Sequence, residues 1–372
     1  MENKRLKGLL LSAYDAGSHK YWRTGIVAGL SDIEWTVLSL PARFFSWRIR
    51  GNPISFISKY SFELAQDYDF MLVTSVVDLA ALKGLLPNLS TLPTVVYFHE
   101  NQFEYPKSQR QHSLLEAQMV NMYSAMAADH ILFNSQFNQK TFLQGCDRLM
   151  AKLPDFTLTD LATQLELKSS VIPVPIADHF FASVREGMLS NASVKILWNH
   201  RWEYDKGPDR LLLFLIELKA RNVAFEINIV GEQFRVVPPE FDKIQTLFSA
   251  HIANFGYLES INNYSRLLSE CDIVLSTSIH EFQGVSVMEA VAAGCFPLVP
   301  SRLSYLEYID RSYCYESNID DPETEAISAV DTLLKIMARQ ETSAFMRKQF
   351  QQFTWRELIN PYRNTIKSVL TK

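Results

Sequence analysis

The sequence points to an α/β protein: two tandem Rossmann-like, doubly wound units, each a parallel sheet with helices on both faces. Three observations carry this expectation. Apolar runs of strand length alternate with helical stretches. The alternation fades over residues 177–194 and then restarts. The length of 372 residues exceeds one ordinary core and suits two domains.

In the first half, GLLLSAY (8–14) runs into Asp15, Ala16 and Gly17, the pattern of a buried strand ending in a tight turn. Strands are also expected at 34–41, 69–75, 93–100, 130–136 and 170–176, the last cut short by Pro173 and Pro175. Helical patterns lie between them, among them 113–128. In the second half, strands are expected at 194–200, 225–232, 251–257, 272–278 and 295–300. The helix 208–221 has a proline at its start, where a missing N–H costs little. Helices follow over 323–370. The expected division is 1–176, a linker at 177–194, 195–350, and a terminal helix over 351–372 that packs back toward the first domain. Two such units would face each other across a cleft with their strand C-terminal ends.

Bulk properties exclude several classes. Formal net charge is -5, which argues against a general nucleic-acid binder. Residues 1–60 nevertheless hold nine Lys/Arg against four Asp/Glu, a local basic bias. Cys146, Cys271, Cys295 and Cys314 lie too far apart for a metal or redox motif. Free thiols in a reducing cytoplasm are expected, and no metal or other cofactor. The first residues lack a signal-peptide pattern, and no apolar run reaches membrane-spanning length.

The chemistry concentrates at strand ends. In IHEFQGVSVMEAVAAG (279–294), a loop leaves an apolar strand and becomes a helix near Val285. Gly284 lets a ligand approach the backbone, and the N–H groups of Val285 and Ser286 suit a diphosphate. Glu289, one turn into the helix, can accept from a ribose diol, and Glu281 from sugar hydroxyls. Acidic pairs are common; the strand–loop–helix setting makes this one specific. Arg201 and Lys206 follow another strand and can oppose the charge of a departing diphosphate. The bland alternative is a solvated loop in which they pair with Glu203 and Asp205. Gly231 ends a further strand and is a donor-site candidate, as is Gly17. His19 and Lys20 begin the first helix. His99, Asn101 and Gln102 cluster with Glu100 after the strand 93–100, a density that favours sugar contact over a lone structural histidine. Arg43, Arg48 and Arg50 interleave with Phe44, Phe45 and Trp47. That mixture fits RNA backbone and stacked bases, or equally an amphipathic segment with its aromatics inward.

GSHK (17–20), HENQ (99–102), WNHRWEYDKGP (198–208) and HEFQGVSVMEA (280–290) together resemble the two-domain retaining glycosyltransferases of the GT-B fold, family four. The match is most specific to the tRNA-queuosine α-mannosyltransferase group. That resemblance implies transfer of mannose from GDP-mannose to the cyclopentene-diol of queuosine in an aspartate tRNA, without metal. It implies that the first domain binds the acceptor and the second the nucleotide-sugar. By the same resemblance Glu289 binds ribose, Glu281 the sugar, Arg201 and Lys206 the diphosphate with the amides at 284–286, and His99 the sugar near the reacting carbon. His19, Lys20, Arg43, Arg48, Arg50, Asn101 and Gln102 are the acceptor candidates. Two alternatives stay open: a retaining enzyme with another donor and a glycan, lipid or small-molecule acceptor, and a non-catalytic nucleotide-sugar-binding protein.

Overall fold

A computed structural model describes residues 5–104, 115–182, 193–233, 236–339 and 341–371. The chain forms two compact units, Met1–Pro175 with Trp355–Lys372, and Ile176–Thr354.

The first unit runs β1 (Lys7–Asp15), α1 (Gly17–Gly29), β2 (Glu34–Pro41), α2 (Phe45–Leu64), β3 (Phe70–Thr74), α3 (Leu79–Leu85), α4 (Pro87–Ser90), β4 (Thr94–Phe98), α5 (Leu115–Ala127), β5 (His130–Phe133), α6 (Gln136–Met150), α7 (Leu161–Leu167) and β6 (Ser169–Val171). Its six-stranded sheet has the order β2-β1-β3-β4-β5-β6, and every pairing is parallel. β3 and β4 are buried along their whole length, as helices on both faces of a parallel sheet require.

The second unit runs β7 (Val194–Trp198), α8 (Pro208–Ala220), β8 (Phe225–Val230), α9 (Glu240–Phe248), β9 (Ile252–Gly256), α10 (Ile261–Glu270), β10 (Ile273–Leu275), α11 (Val285–Ala293), β11 (Phe296–Pro300), β12 (Cys314–Tyr315), α12 (Pro322–Met337) and α13 (Ala344–Phe350). Its sheet order is β12-β11-β10-β7-β8-β9, again parallel throughout. Each unit has its own apolar core. The last helix, α14 (Trp355–Leu370), belongs to the first unit. Its Tyr362 is buried beside Trp22 of α1, whose Nε1 donates to the Tyr362 hydroxyl at 3.1 Å.

Both sheets reverse their strand order once, between β1 and β3 and between β7 and β10. At such a reversal successive connections leave to opposite faces, and the strand C-terminal ends border a crevice. These two positions organise everything below.

Some details differ from expectation. The second unit begins at Ile176, and residues 178–181 form a 3-10 turn inside it; residues 183–192 of the expected linker lie outside those described. Residues 351–354 stay with the second unit, because Ile176 N donates to Phe353 O at 2.7 Å, so the returning helix starts at Trp355. Residues 113–114 of the expected helix 113–128 also lie outside the described set. The two-residue β12 at the sheet edge carries too little pattern to be read in sequence. α2 contains Pro53, which usually breaks a helix. Here the Asn52 side chain donates to Ile49 O at 3.2 Å and Arg48 O at 2.9 Å, replacing the donor that proline lacks.

Candidate active site

The second unit gathers its polar groups at the β7/β10 reversal. After β7 come Asn199, His200 and Arg201, then a 3-10 turn over Tyr204–Lys206 that leads into α8. After β10 the loop 276–284 leads into α11. Lys206 is buried and closes the gap between the two loops. Its Nζ lies 2.9 Å from His280 O, 3.0 Å from Glu281 Oε2 and 3.3 Å from Asp205 Oδ2. Burial by itself lowers the lysine, but Glu281 and Asp205 outweigh it and hold the ammonium above its ordinary value. Burial likewise raises Glu281, and Lys206 with its hydrogen bond outweighs this, so the carboxylate stays ionised below its ordinary range. Glu281 Oε1 also accepts from the backbone N–H groups of Phe282 (3.1 Å) and Gln283 (3.3 Å).

α11 starts without a cap. Gly284 stands at its N-cap in the left-handed region, φ 77°, contributes no side chain, and no acidic residue follows in the first turn. The first helical bond is Met288 N to Gly284 O, so the N–H groups of Val285 to Val287 have no partner within the helix. A Cβ at Gly284 would stand 2.7 Å from the Tyr305 ring and 2.8 Å from the Tyr308 hydroxyl. Glu289 follows one turn later. The Tyr264 hydroxyl donates to its Oε2 at 3.1 Å, and Asn199 Nδ2 donates to that hydroxyl at 3.0 Å and to Ser286 O at 2.8 Å. Burial pushes the Glu289 carboxyl up to about 7, against the opposing Tyr264 hydrogen bond.

The pairing of Lys206 with Asp205 expected of a plain loop is present, but Asp205 is buried rather than solvated. Its backbone carbonyl accepts from Ile279 N and His280 N at 2.9 and 3.2 Å, tying the two loops together. Other residues here were not anticipated. His200 is buried, its Nε2 has no partner among the described residues, and burial, with Lys206 adding, pushes it down to about 4. Behind the loop, Arg302 donates to Ser278 O through Nε (3.0 Å) and Nη2 (2.9 Å), and pairs with Glu325 at 2.6 and 2.9 Å. Glu325 also meets Arg210 Nε at 3.2 Å. Tyr315 donates to Ser276 O at 2.7 Å, and Tyr308 to Gln283 O. The loop bearing Glu281 is therefore fastened from behind by residues 20 or more positions downstream. Arg201 remains at the surface, its guanidinium 3.0 Å from Glu203. Gly231 has a structural cause: a Cβ there would stand 1.8 Å from His200 O.

The first unit places His19 and His99 beyond the C-terminal ends of β1 and β4. Their rings stack at 4.1 Å, and Trp22 and Tyr97 meet the His99 ring edge-on at 5.0 and 4.7 Å. Burial, with His19 adding, holds His99 well below its ordinary value, so it is neutral. Neither ring nitrogen has a partner among the described residues. His19 Nε2 lies 3.2 Å from Glu100 Oε2. Gln102 is buried, and its Oε1 has no partner among the described residues. Gly17 and Lys20 are exposed at the start of α1.

Two acceptor candidates need correction. Asn101 is fully buried; its amide donates to Asn138 and Thr141 (2.9–3.2 Å) and its Oδ1 accepts from Phe103 N and Glu104 N. All its capacity holds the turn after β4, and none remains for a ligand. Arg48 is buried rather than presented to solvent, and burial, with Arg43 adding, lowers its guanidinium. Arg43 is exposed, and Arg50 is half-exposed with Nη1 2.7 Å from Asp78. Among the described residues no group of three or more His, Cys, Asp or Glu is placed to hold a metal ion, and no helix is long and apolar enough to cross a membrane.

Two parallel doubly wound units, the second with an uncapped helix start between Glu281 on the preceding loop and Glu289 one turn into the helix, define a glycosyltransferase of the GT-B fold. Solved structures share that fold at low identity. Sucrose-phosphate synthase from Thermosynechococcus elongatus matches with TM-score 0.73 and 14% identity over 99% of this chain and 100% of its own. HepE from Anabaena, in complex with UDP, matches with TM-score 0.67 and 14% identity over 98% and 100%. Residues 7–176 match the profile described as tRNA-queuosine alpha-mannosyltransferase N-terminal, and residues 187–353 match glycosyl transferases group 1. The tRNA-queuosine alpha-mannosyltransferase of Drosophila melanogaster is 32% identical over 363 residues, covering 95% of this chain and 94% of the fly protein. The chain belongs to the tRNA-queuosine alpha-mannosyltransferase family.

Proposed function

We propose that this protein transfers mannose from GDP-mannose to the cyclopentene-diol of queuosine in an aspartate tRNA, in the cytoplasm, with retention at the anomeric carbon and without a metal ion. Family membership supports the sugar and the acceptor. The observation that carries the donor half is the arrangement at the β7/β10 reversal, where Lys206, Glu281, Glu289 and the bare start of α11 come together.

In this reading the ribose diol donates to Glu289, whose recorded bonding leaves acceptor capacity beyond the Tyr264 contact. The diphosphate sits on the N–H groups of Val285 and Ser286, at the positive end of the helix dipole. Lys206 already faces three acceptors with its three protons, so it acts on the diphosphate through charge rather than through a new hydrogen bond. Arg201, at the surface, exchanges Glu203 for a phosphate oxygen. Glu281 keeps one of about four acceptor positions for a sugar hydroxyl. By the family resemblance His99, neutral in the first unit, contacts the transferred sugar. The bond from the anomeric carbon to the diphosphate oxygen breaks as the acceptor hydroxyl oxygen bonds to that carbon from the same face. The hydroxyl proton passes to the leaving phosphate oxygen, so no side-chain nucleophile is needed.

The test is incubation with GDP-mannose and tRNA, with and without queuosine, followed by nuclease digestion and mass measurement of the nucleosides. A hexose on queuosine alone is the expected result. No mass shift, with donor binding intact, would overturn the acceptor and keep the donor site.

A further inference from the structure

The start of α2 divides its aromatic residues between two environments. Phe45 packs on the core against Tyr14 of β1, ring to ring at 5.5 Å, and Ile49 and Phe56 are buried. Phe44 and Trp47 turn the other way, 71% and 53% exposed. Trp47 is nevertheless seated. A Cβ on Gly51, one turn further along the helix, would meet three indole atoms at 2.4, 2.5 and 2.6 Å. Such near-equal distances place the ring face-on over Gly51, which is buried beneath it. One indole face lies on the helix and the other faces solvent. Phe44 precedes the helix in the left-handed region, φ 57°, an uncommon conformation for a bulky residue. The Arg43 guanidinium lies 5.6 Å from its ring centroid.

We propose that Trp47, with Phe44 beside it, is a stacking platform for unpaired bases of the acceptor RNA. This rests on the tRNA reading above. Three observations favour RNA as the occupant. From residue 35 to residue 62 the chain carries Arg43, Arg48, Arg50 and Lys59 and no acidic residue, inside a chain of net charge -5; Arg48 is buried and Arg50 is paired with Asp78, so Arg43 and Lys59 carry the exposed positive charge. Exposed aromatics interleaved with arginine are a composition that single-strand RNA sites use. The platform also follows a strand C-terminal end of the same sheet as His19 and His99. α2 follows the C-terminal end of β2, Tyr14 at the end of β1 touches Phe45, and Asp78 beyond β3 anchors Arg50 at 2.7 Å. A rigid indole with one free face stacks on any base, so Trp47 adds affinity without reading sequence.

The experiment compares wild type, Trp47→Ala, Trp47→Phe and Gly51→Ala. It measures KM and kcat for queuosine-containing tRNA, and separately Kd for a labelled tRNA by fluorescence anisotropy. Trp47→Ala is expected to raise both KM and Kd for tRNA about tenfold, with kcat and the GDP-mannose KM within about twofold. Trp47→Phe should recover most of the loss. Gly51→Ala removes no contacting atom and suits a helix better than glycine, yet should weaken tRNA binding because its methyl displaces the indole. Wild-type KM and Kd in Trp47→Ala overturn the platform. So does a change in self-association with tRNA binding untouched, which would assign this face to a protein partner. Wild-type protein that binds tRNA through Trp47 but transfers nothing overturns the proposed reaction and leaves the platform standing.

Discussion

Glu289 makes donor binding depend on pH. Moving a carboxyl from an ordinary 4.5 to about 7 corresponds to about 3 kcal/mol. That is an upper bound, because the side chain keeps some solvent contact. A raised carboxyl favours the protonated form in the folded state. The folded protein therefore loses this stability as pH rises from about 4.5 through 7, and none of it is lost below 4.5. Binding works in the opposite direction, since a ribose diol needs the ionised carboxylate as acceptor. GDP-mannose affinity should be flat above about pH 8 and weaken about tenfold for each pH unit below about 6. Isothermal titration with GDP-mannose between pH 5 and 9 reads this directly, because the diphosphate diester has no ionisation in that range. Glu289→Gln should bind more weakly at pH 8, lose the slope, and melt at higher temperature than wild type at pH 8 but not at pH 4. A flat wild-type profile, or the same slope in Glu289→Gln, would refute the reasoning.

Lys206→Ala should cut transfer at least tenfold and also destabilise the second unit by about 3–5 kcal/mol, because it strands Asp205 and Glu281 without their shared cation; a wild-type denaturation profile would contradict this. Glu325→Gln leaves Arg302 and Arg210 without their buried carboxylate, so hydrogen exchange over 276–284 should quicken and kcat should fall, although Glu325 is placed behind the loop. Unchanged exchange there would show that Tyr308 and Tyr315 suffice to hold the loop. Finally, saturating chelator should leave transfer within about twofold, and a loss restored by magnesium or manganese would refute a metal-free mechanism.

The fold was legible because its signals are local. Strands such as β3 and β11 are short, largely apolar runs, and α8 announces itself with Pro208. Their alternation implies parallel pairing, since parallel neighbours need a crossover. The stretch around Gly284 was legible for the same reason: a strand, a glycine and a helix within 20 residues already bring Glu281, Gly284 and Glu289 to one place. The aromatic stretch 43–53 was not, because composition does not say which side of a helix faces the core. The stretch splits, Phe45 inward and Trp47 outward.

The chain by itself thus determined two wound sheets, the approximate strands, and the acidic pair on its helix, all of which depend on patterns shorter than one strand–loop–helix segment. Folding decided the partners. Lys206 meets Glu281 across 75 residues, Asn199 reaches Ser286 across 87, and Arg302 grips Ser278 across 24. These contacts exist because β7 and β10 lie side by side although two strands intervene in the chain. Burial then set the charge states: in the first unit it keeps His99 neutral, and around the β7/β10 reversal it keeps His200 neutral and raises Glu289 to about 7, while Lys206 keeps Glu281 ionised. Desolvation and charge proximity are properties of neighbours in space, and no spacing along the chain encodes them.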